Sequence, residues 1–333
     1  MQDYVFTFKA KDGKEIFAYK WSLDNHSRID ISNKTNVSNK FKNSYSGKPK
    51  AVIHIIHGMG EHAGRYSEFA DILNKNGFDV YAADQRGHGK TAGSVDNFGH
   101  FADSNGWLTV VDDLKKLTEI IEKENPKVPI FLLGHSAGAM LTLDYIAKYW
   151  QKIKGVILSG ISGSPGILGY IGIMLAKAVI KKRGPAAKSP LHKKMLFDKF
   201  NSYFKPNRTS ADWISRDEKI VDKMLADPFC YQLFSAEFYA DLARAALRVN
   251  SPNFINKLPK DLPFFIISGT KCAVGAFTKG VKSLYNSFVK ADIKDVKIKL
   301  YEGARQEILN EVNRQEVYED IITWINKKLF PAE

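Results

Sequence analysis

The chain has 333 residues, is 44% hydrophobic and 26% charged, and carries 49 Lys and Arg against 36 Asp and Glu, a formal net charge of +13. That composition excludes disordered, collagen-like and coiled-coil chains, and the length suits one large α/β domain with an insertion or two modest domains. The two cysteines, Cys230 and Cys272, argue against a disulfide framework and for a reducing compartment. The N-terminal MQDYVFTFKA lacks a basic stretch followed by an apolar core, so no secretory signal is expected and the expected location is cytoplasmic.

Residues 4–9 and 15–21 read as two strands joined by a turn that contains Asp12-Gly13. Residues 22–50 are rich in Asn, Ser and Lys, have no sustained periodicity, and read as a polar surface insertion. The β-branched run at 51–56 suits a buried central strand. A helix is expected over 67–76, stopped by Gly77, then a strand at 79–83. A long amphipathic helix at 107–124 precedes a short strand at 130–133, a helix at 137–149 and a strand at 153–159. Helical patterns dominate to about residue 257. Strand and helix then alternate again at 263–268, 279–290, 296–301 and 314–329. Alternation on both sides of a helical insert implies one parallel sheet carrying a cap: a core at 1–161 and 251–333, a cap at 162–250.

Residues 155–180 are largely apolar, but Pro165, several glycines and Lys177 interrupt them before the ~20 residues a membrane span needs. The reading is a strand end followed by a separate hydrophobic helix at 166–180, expected to line the pocket mouth. Between Ile171 and Ser210 there are ten Lys and Arg against Asp198 alone. A basic region behind an apolar helix suits peripheral contact with an anionic membrane; the plainer reading is a lysine-rich solvated surface. No nucleic-acid motif accompanies the charge, so no nucleic acid is expected as partner.

Gly134-His135-Ser136-Ala137-Gly138 fits G-x-S-x-G between a strand and a helix. A serine on such a sharp turn has a strained backbone, needs small neighbours, and exposes its Oγ. His57-Gly58-Met59-Gly60 follows the buried strand at 51–56 and can supply a second oxyanion donor, which makes the N–H groups of Met59 and Ala137 the expected pair. His62, Arg65, Arg86, His88 and His100 read as loop braces, His135 as a packing residue, and Glu237 and Asp241 as solvated or capping groups. No metal or cofactor is expected.

The stretches HIIHGMGEHAGRYSEFADIL, AADQRGHGKT, FGHFADSNGW and GHSAG resemble the monoacylglycerol lipase and bacterial lysophospholipase group of α/β-hydrolases. The likeness continues through SGISGSPG, RGPAAKSPL, FKPNRTSADWISRD and LYEGARQEILNEVNRQEVYEDIITWI, and spares only residues 22–50. It implies the α/β-hydrolase fold: an eight-stranded, mostly parallel sheet flanked by helices, with a helical cap. It also implies carboxylic ester hydrolysis through Ser136, on a small lipid or ester ligand with one acyl chain and a small polar head.

A serine hydrolase needs a base to take the serine proton and an acid to orient that base. In this fold they follow the serine in the order acid, then histidine. The histidines lie at 26, 54, 57, 62, 88, 100, 135 and 192, so none can follow the last core strand. The resemblance puts Gln306 at the base position, within Glu302-Gly303-Ala304-Arg305-Gln306-Glu307, and Cys272 at the acid position, within Ser268-Gly269-Thr270-Lys271-Cys272-Ala273-Val274-Gly275. Ordinary activity is then expected to be abolished or very weak, in a pseudoenzyme or in an engineered site variant. The alternatives are a lysolipid- or monoacylglycerol-binding protein without turnover, and a redesigned catalyst using Cys272, with Lys271 beside it lowering the thiol pKa.

Overall fold

The computed structural model describes residues 4–22 and 48–331. The expected polar insertion at 22–50 falls almost wholly outside them. Eight strands form a single sheet: β1 Tyr4–Lys9, β2 Glu15–Trp21, β3 Ala51–Ile56, β4 Phe78–Ala83, β5 Ile130–His135, β6 Ile153–Ser159, β7 Phe264–Gly269 and β8 Val296–Tyr301. Their order is β1-β2-β4-β3-β5-β6-β7-β8. β1 pairs with β2, and β2 with β4, in antiparallel fashion; every later pairing is parallel. The hairpin is a tight turn at Asp12-Gly13, where Gly13 takes φ 84°.

The helices of eight or more residues are α1 Ser67–Lys75, α2 Gly106–Glu124, α3 Ala137–Tyr149, α4 Ile167–Arg183, α5 Glu218–Ala226, α6 Ala236–Val249, α7 Lys279–Lys290 and α8 Arg314–Leu329. β3 is buried along its whole length because helices cover both faces of the sheet. Val52 and Ile56 join a core with residues of α2, α3 and α7; Ile53 and Ile55 point the other way, into a core with α1 and α8. Alternation along one strand thus feeds two hydrophobic layers, each burying enough apolar surface to hold its helices down.

Between β6 and β7 the chain is mostly helical, with α4 packed on α6. Asp241 of α6 is buried and accepts the Trp107 N–H at 3.1 Å, so it caps the first turn of α2 from another helix. Glu237 accepts a hydrogen bond from Arg244. Both residues are therefore held by partners, and Asp241 fills the capping role expected of it.

The hydrophobic helix α4 packs on α6 and contributes no residue to the lining of the cavity at Ser136. Its Gly169 lies against Leu247 of α6, while Ile167, Leu168, Tyr170 and Met174 are exposed, Ile167 by 72%. α4 is apolar on nearly every face, so its residue pattern specified burial somewhere but not which side faces the sheet. Among the described residues no helix is long and apolar enough to cross a membrane.

Candidate active site

The parallel strands end on one side, and the loops that follow four of them supply the residues singled out in the sequence. Met59 follows β3, Ser136 follows β5, Cys272 follows β7 and Gln306 follows β8. Ligands and reacting groups in open α/β sheets collect at this carboxyl edge.

Ser136 is the turn itself, with φ 53° and ψ −118°, a conformation that residues with a Cβ rarely adopt. Its N–H donates to Ser159 O at 2.8 Å, which anchors the turn to β6. The flanking glycines are steric requirements. A Cβ on Gly138 would lie 2.1 Å from Ile56 O, and one on Gly134 would lie 2.3 Å from Thr142 Oγ1. Glycine at 138 therefore lets the turn press against the end of β3, and glycine at 134 lets α3 start tight against β5. Ala137 opens α3, so its N–H has no partner within the helix.

The loop after β3 is held from several sides. His57 is fully buried, and burial pushes its pKa down to about 3, so it is neutral. Its Nε2 accepts the Gln85 N–H at 3.0 Å, so Nδ1 carries the proton and donates to Gly58 O at 2.8 Å. The Gly58 N–H donates to Glu61 Oε1 at 2.6 Å. A Cβ on Gly58 would stand 3.1 Å from Ser136 Cβ, which shows how closely this loop approaches the serine.

Glu61 belongs to a buried charge network. Arg65 donates to Glu61 Oε2 at 2.9 Å and makes a two-pronged pair with Glu307 at 2.8 and 2.7 Å. Burial on its own would raise the Glu61 pKa, but the Arg65 guanidinium, the Gly58 N–H and the Tyr66 hydroxyl outweigh it and hold the carboxyl below its usual range. Glu307 adjoins Gln306, so the network straps the loop after β3 to the loop after β8. The expected brace at Arg65 is present. Its partner Glu307, 242 residues away, carried no signal in the sequence. The other expected braces are also bonded: His62 to Asp227, Arg86 to Asp12 and Asp113, His88 to Arg86 O, and His100 to Ser235 and Asp103.

Ser136, Met59 and Gln306 line one narrow cavity, together with His135, Glu61, Glu307 and residues from between β6 and β7, notably Trp213 and Tyr231. The sequence reading missed these last two and treated His135 as packing alone. The His135 ring does pack between the two loops, with Nδ1 3.3 Å from Ser159 Oγ, but it also faces the cavity. Gln306 is buried and its amide is fixed at both ends. Nε2 donates to Gly160 O at 3.0 Å, and Oε1 accepts the Cys272 thiol at 2.6 Å. Cys272 lies behind Gln306, fully buried, and its Sγ accepts the Gly275 N–H at 3.2 Å. Burial pushes its thiol pKa up, and the Gly275 N–H only partly opposes that. The expected lowering by Lys271 is thus not what this environment produces, because desolvation dominates and the thiol stays neutral.

With this geometry in view, the likeness to known proteins is specific. Residues 47–313 match the family model described as serine aminopeptidase, S33. The chain is 30% identical to the monoglyceride lipase of Rattus norvegicus over 298 residues, 86% of each chain. It is 27% identical to the monoacylglycerol lipase of Mycolicibacterium smegmatis, across 83% of this chain and 88% of that protein. Among solved structures, a thermostable carboxyl esterase from Bacillus coagulans superposes with a TM-score of 0.84 at 28% identity, over 99% of this chain and 100% of the other. The chain belongs to this serine hydrolase family, within the monoacylglycerol lipase and lysophospholipase group of the α/β-hydrolase superfamily.

Proposed function

We propose that this chain is a monoacylglycerol-lipase-type protein in which the acyl-transfer site is built but not activated. Ser136 holds the nucleophile position, and the N–H groups of Met59 and Ala137 are the oxyanion donors. Gln306 stands where the histidine base belongs, and Cys272 where its acid belongs. The observation that carries this reading is the 2.6 Å contact of the Cys272 thiol with Oε1 of Gln306, which itself lines the cavity that holds Ser136. It has the connectivity of an acid–base pair behind a nucleophile, made from residues that do no proton transfer.

The consequence for mechanism is direct. Attack by Ser136 Oγ on an ester carbonyl requires loss of the hydroxyl proton, and a glutamine amide accepts a hydrogen bond but not a proton near neutral pH. The oxyanion donors still stabilise negative charge, which leaves a residual rate roughly 10³–10⁴-fold above water and about 10⁶-fold below that of a complete triad. A nucleophilic Cys272 is disfavoured, since a buried neutral thiol behind Gln306 reaches neither the cavity nor the thiolate state.

The segment at 162–250 acts as a cap over a ligand with one acyl chain and a small polar head, such as a monoacylglycerol or lysolipid. Support comes from Trp213, Ile214, Met224 and Tyr231, which lay an apolar and aromatic wall over Ser136. A short-chain monoacylglycerol is expected to raise the melting temperature while fatty acid release stays at the level of the Ser136→Ala variant. Serine-dependent release at the rate of an ordinary lipase contradicts the proposal.

The cap also gives the protein a membrane-facing side. Ile167, Leu168, Tyr170 and Met174 are exposed on α4, whose last turn carries Lys181, Lys182 and Arg183. Apolar side chains beside a basic cluster suit the interface of an anionic bilayer. Binding to phosphatidylserine vesicles is expected, weakening as salt rises, because at ~0.15 M the screening length is only about 8 Å. Binding that is absent, or indifferent to salt, counts against this contact.

A further inference from the structure

We infer that His62, Asp227 and Cys230 form a site for a divalent transition metal, with zinc the best match to the donor set. One ring nitrogen of the histidine, a carboxylate oxygen of the aspartate and Sγ of the cysteine all lie within 4.8 Å of one another. The proposal does not depend on how Ser136 works, because these residues lie outside the lining of the cavity.

The donors come from two places in the chain. Asp227 ends α5 and begins a tight turn in which the Phe229 N–H donates to Asp227 Oδ1 at 2.8 Å and the Cys230 N–H to Asp227 O at 3.0 Å. The turn therefore brings side chains three residues apart, Asp227 and Cys230, to one side. Oδ1 is engaged within the turn, which leaves Oδ2 to face outward. Opposite stands His62, from the loop after β3, with Nε2 at 2.9 Å from that Oδ2. Without a metal, a proton occupies this short gap.

The chemistry of the set is selective. One thiolate, one imidazole and one carboxylate is a mixed sulfur, nitrogen and oxygen donor set that zinc accepts at about 2.0–2.3 Å, with a fourth position left open. Magnesium and calcium prefer oxygen alone, and the sulfur disfavours them. Binding is balanced in protons. The imidazole keeps one proton by shifting it from Nε2 to Nδ1, and the cysteine releases its thiol proton to solvent as the sulfur–metal bond forms.

The surroundings favour a cation. Arg65 is paired with both Glu61 and Glu307, while Asp227 is bonded to His62 and feels the same guanidinium only at longer range, so three carboxylates share one guanidinium. His62 adds no fixed charge when neutral. A divalent ion offsets the remaining excess of negative charge. Access is available, since the side chains of His62 and Asp227 keep 18% and 28% of their exposure while Cys230 is buried beneath them. Occupancy would tie the loop after β3 to the turn that continues into Tyr231, whose N–H already donates to Gly60 O at 3.0 Å. The metal is thereby placed to fix the cap against the oxyanion loop.

The test is titration of the chelator-treated full chain with Co²⁺, followed by absorbance. One Co²⁺ per chain is expected, with a thiolate-to-metal charge-transfer band in the near ultraviolet that zinc displaces. The band is expected to vanish in Cys230→Ser and to remain in Cys272→Ser. No band in the wild-type chain overturns the proposal, as does one that survives Cys230→Ser or disappears in Cys272→Ser. Should Cys230→Ser fail to fold, His62→Asn decides: a fall in Co²⁺ affinity of at least tenfold, on the order of the loss of a metal-site partner, supports the site, and an unchanged affinity overturns it.

Discussion

Replacing Gln306 by histidine and Cys272 by aspartate together is expected to raise p-nitrophenyl butyrate hydrolysis by on the order of 10³-fold or more, since completing a triad restores groups that act as a unit. The two positions already touch, with Cys272 Sγ 2.6 Å from Gln306 Oε1, so the new side chains inherit an acid–base contact. The single changes are expected to differ. Gln306→His alone introduces a base that takes a proton from Ser136 without a carboxylate to orient it, and is expected to recover part of the activity, roughly 10-fold to 10²-fold. Cys272→Asp alone is expected to recover almost nothing, because it has no imidazole to hold. The single aspartate also carries a stability cost. It is enclosed, with the Gly275 N–H as its clearest donor, so its folded pKa lies above the unfolded value of about 3.9. The unfolded state then loses its proton first. The variant's deficit is small below about pH 4 and grows as pH rises towards the raised folded pKa, reaching about 3 kcal/mol. Adding Gln306→His is expected to remove most of that deficit. Urea unfolding of the four proteins at two pH values, alongside esterase rates, reads both effects. A larger activity gain from Cys272→Asp than from Gln306→His contradicts the assignment of the two positions.

The second large effect is expected at Arg65. Arg65→Met is expected to destabilise the fold by about 3–5 kcal/mol, the usual cost of removing one partner from a buried ion pair. The side chains of Arg65, Glu61 and Glu307 are only 11%, 3% and 7% exposed, so solvent does little to screen the two carboxylates left behind. Their repulsion also loosens the loop that presents the Met59 N–H, because Glu61 holds the neighbouring Gly58 N–H. The triple variant Arg65→Met, Glu61→Gln, Glu307→Gln is expected to regain much of the stability, since it removes the stranded charges together with their partner. Denaturant midpoints for the single and triple variants measure this. A single variant within about 0.5 kcal/mol of wild type, as for an exposed pair, contradicts a structural strap between the two loops.

These effects also mark what the sequence could convey. The sheet was legible because strands such as 51–56 carry uninterrupted apolar runs, and because glycines flank Ser136 where any Cβ would strike backbone or Thr142. The proposed roles of Gln306 and Cys272 rest on the position of the histidines and on the family likeness. Their mutual contact was not, since it joins residues 34 apart through two separate loops. The sequence leaves Cys272 open between inert and reactive, because a neighbouring Lys271 does not reveal the desolvation that pushes the thiol up. Arg65 reads as a brace without its partner, and the clustering of His62, Asp227 and Cys230 joins the loop after β3 to a turn some 165 residues later. The face of α4 was unreadable for a different reason: a helix apolar on nearly all sides carries no phase.

On the proposed reading, Ser136 sits in a formed oxyanion site without a base to activate it. The most direct measurement is the rate at which a fluorophosphonate labels Ser136, followed by intact mass, in the parent chain and in the Gln306→His, Cys272→Asp double variant. Very slow labelling of the parent is expected, little above Ser136→Ala, with rapid, one-to-one labelling of the double variant that maps to Ser136. Rapid labelling of Ser136 in the parent would contradict it, because the serine would then have a base that is neither Gln306 nor anything Cys272 supports.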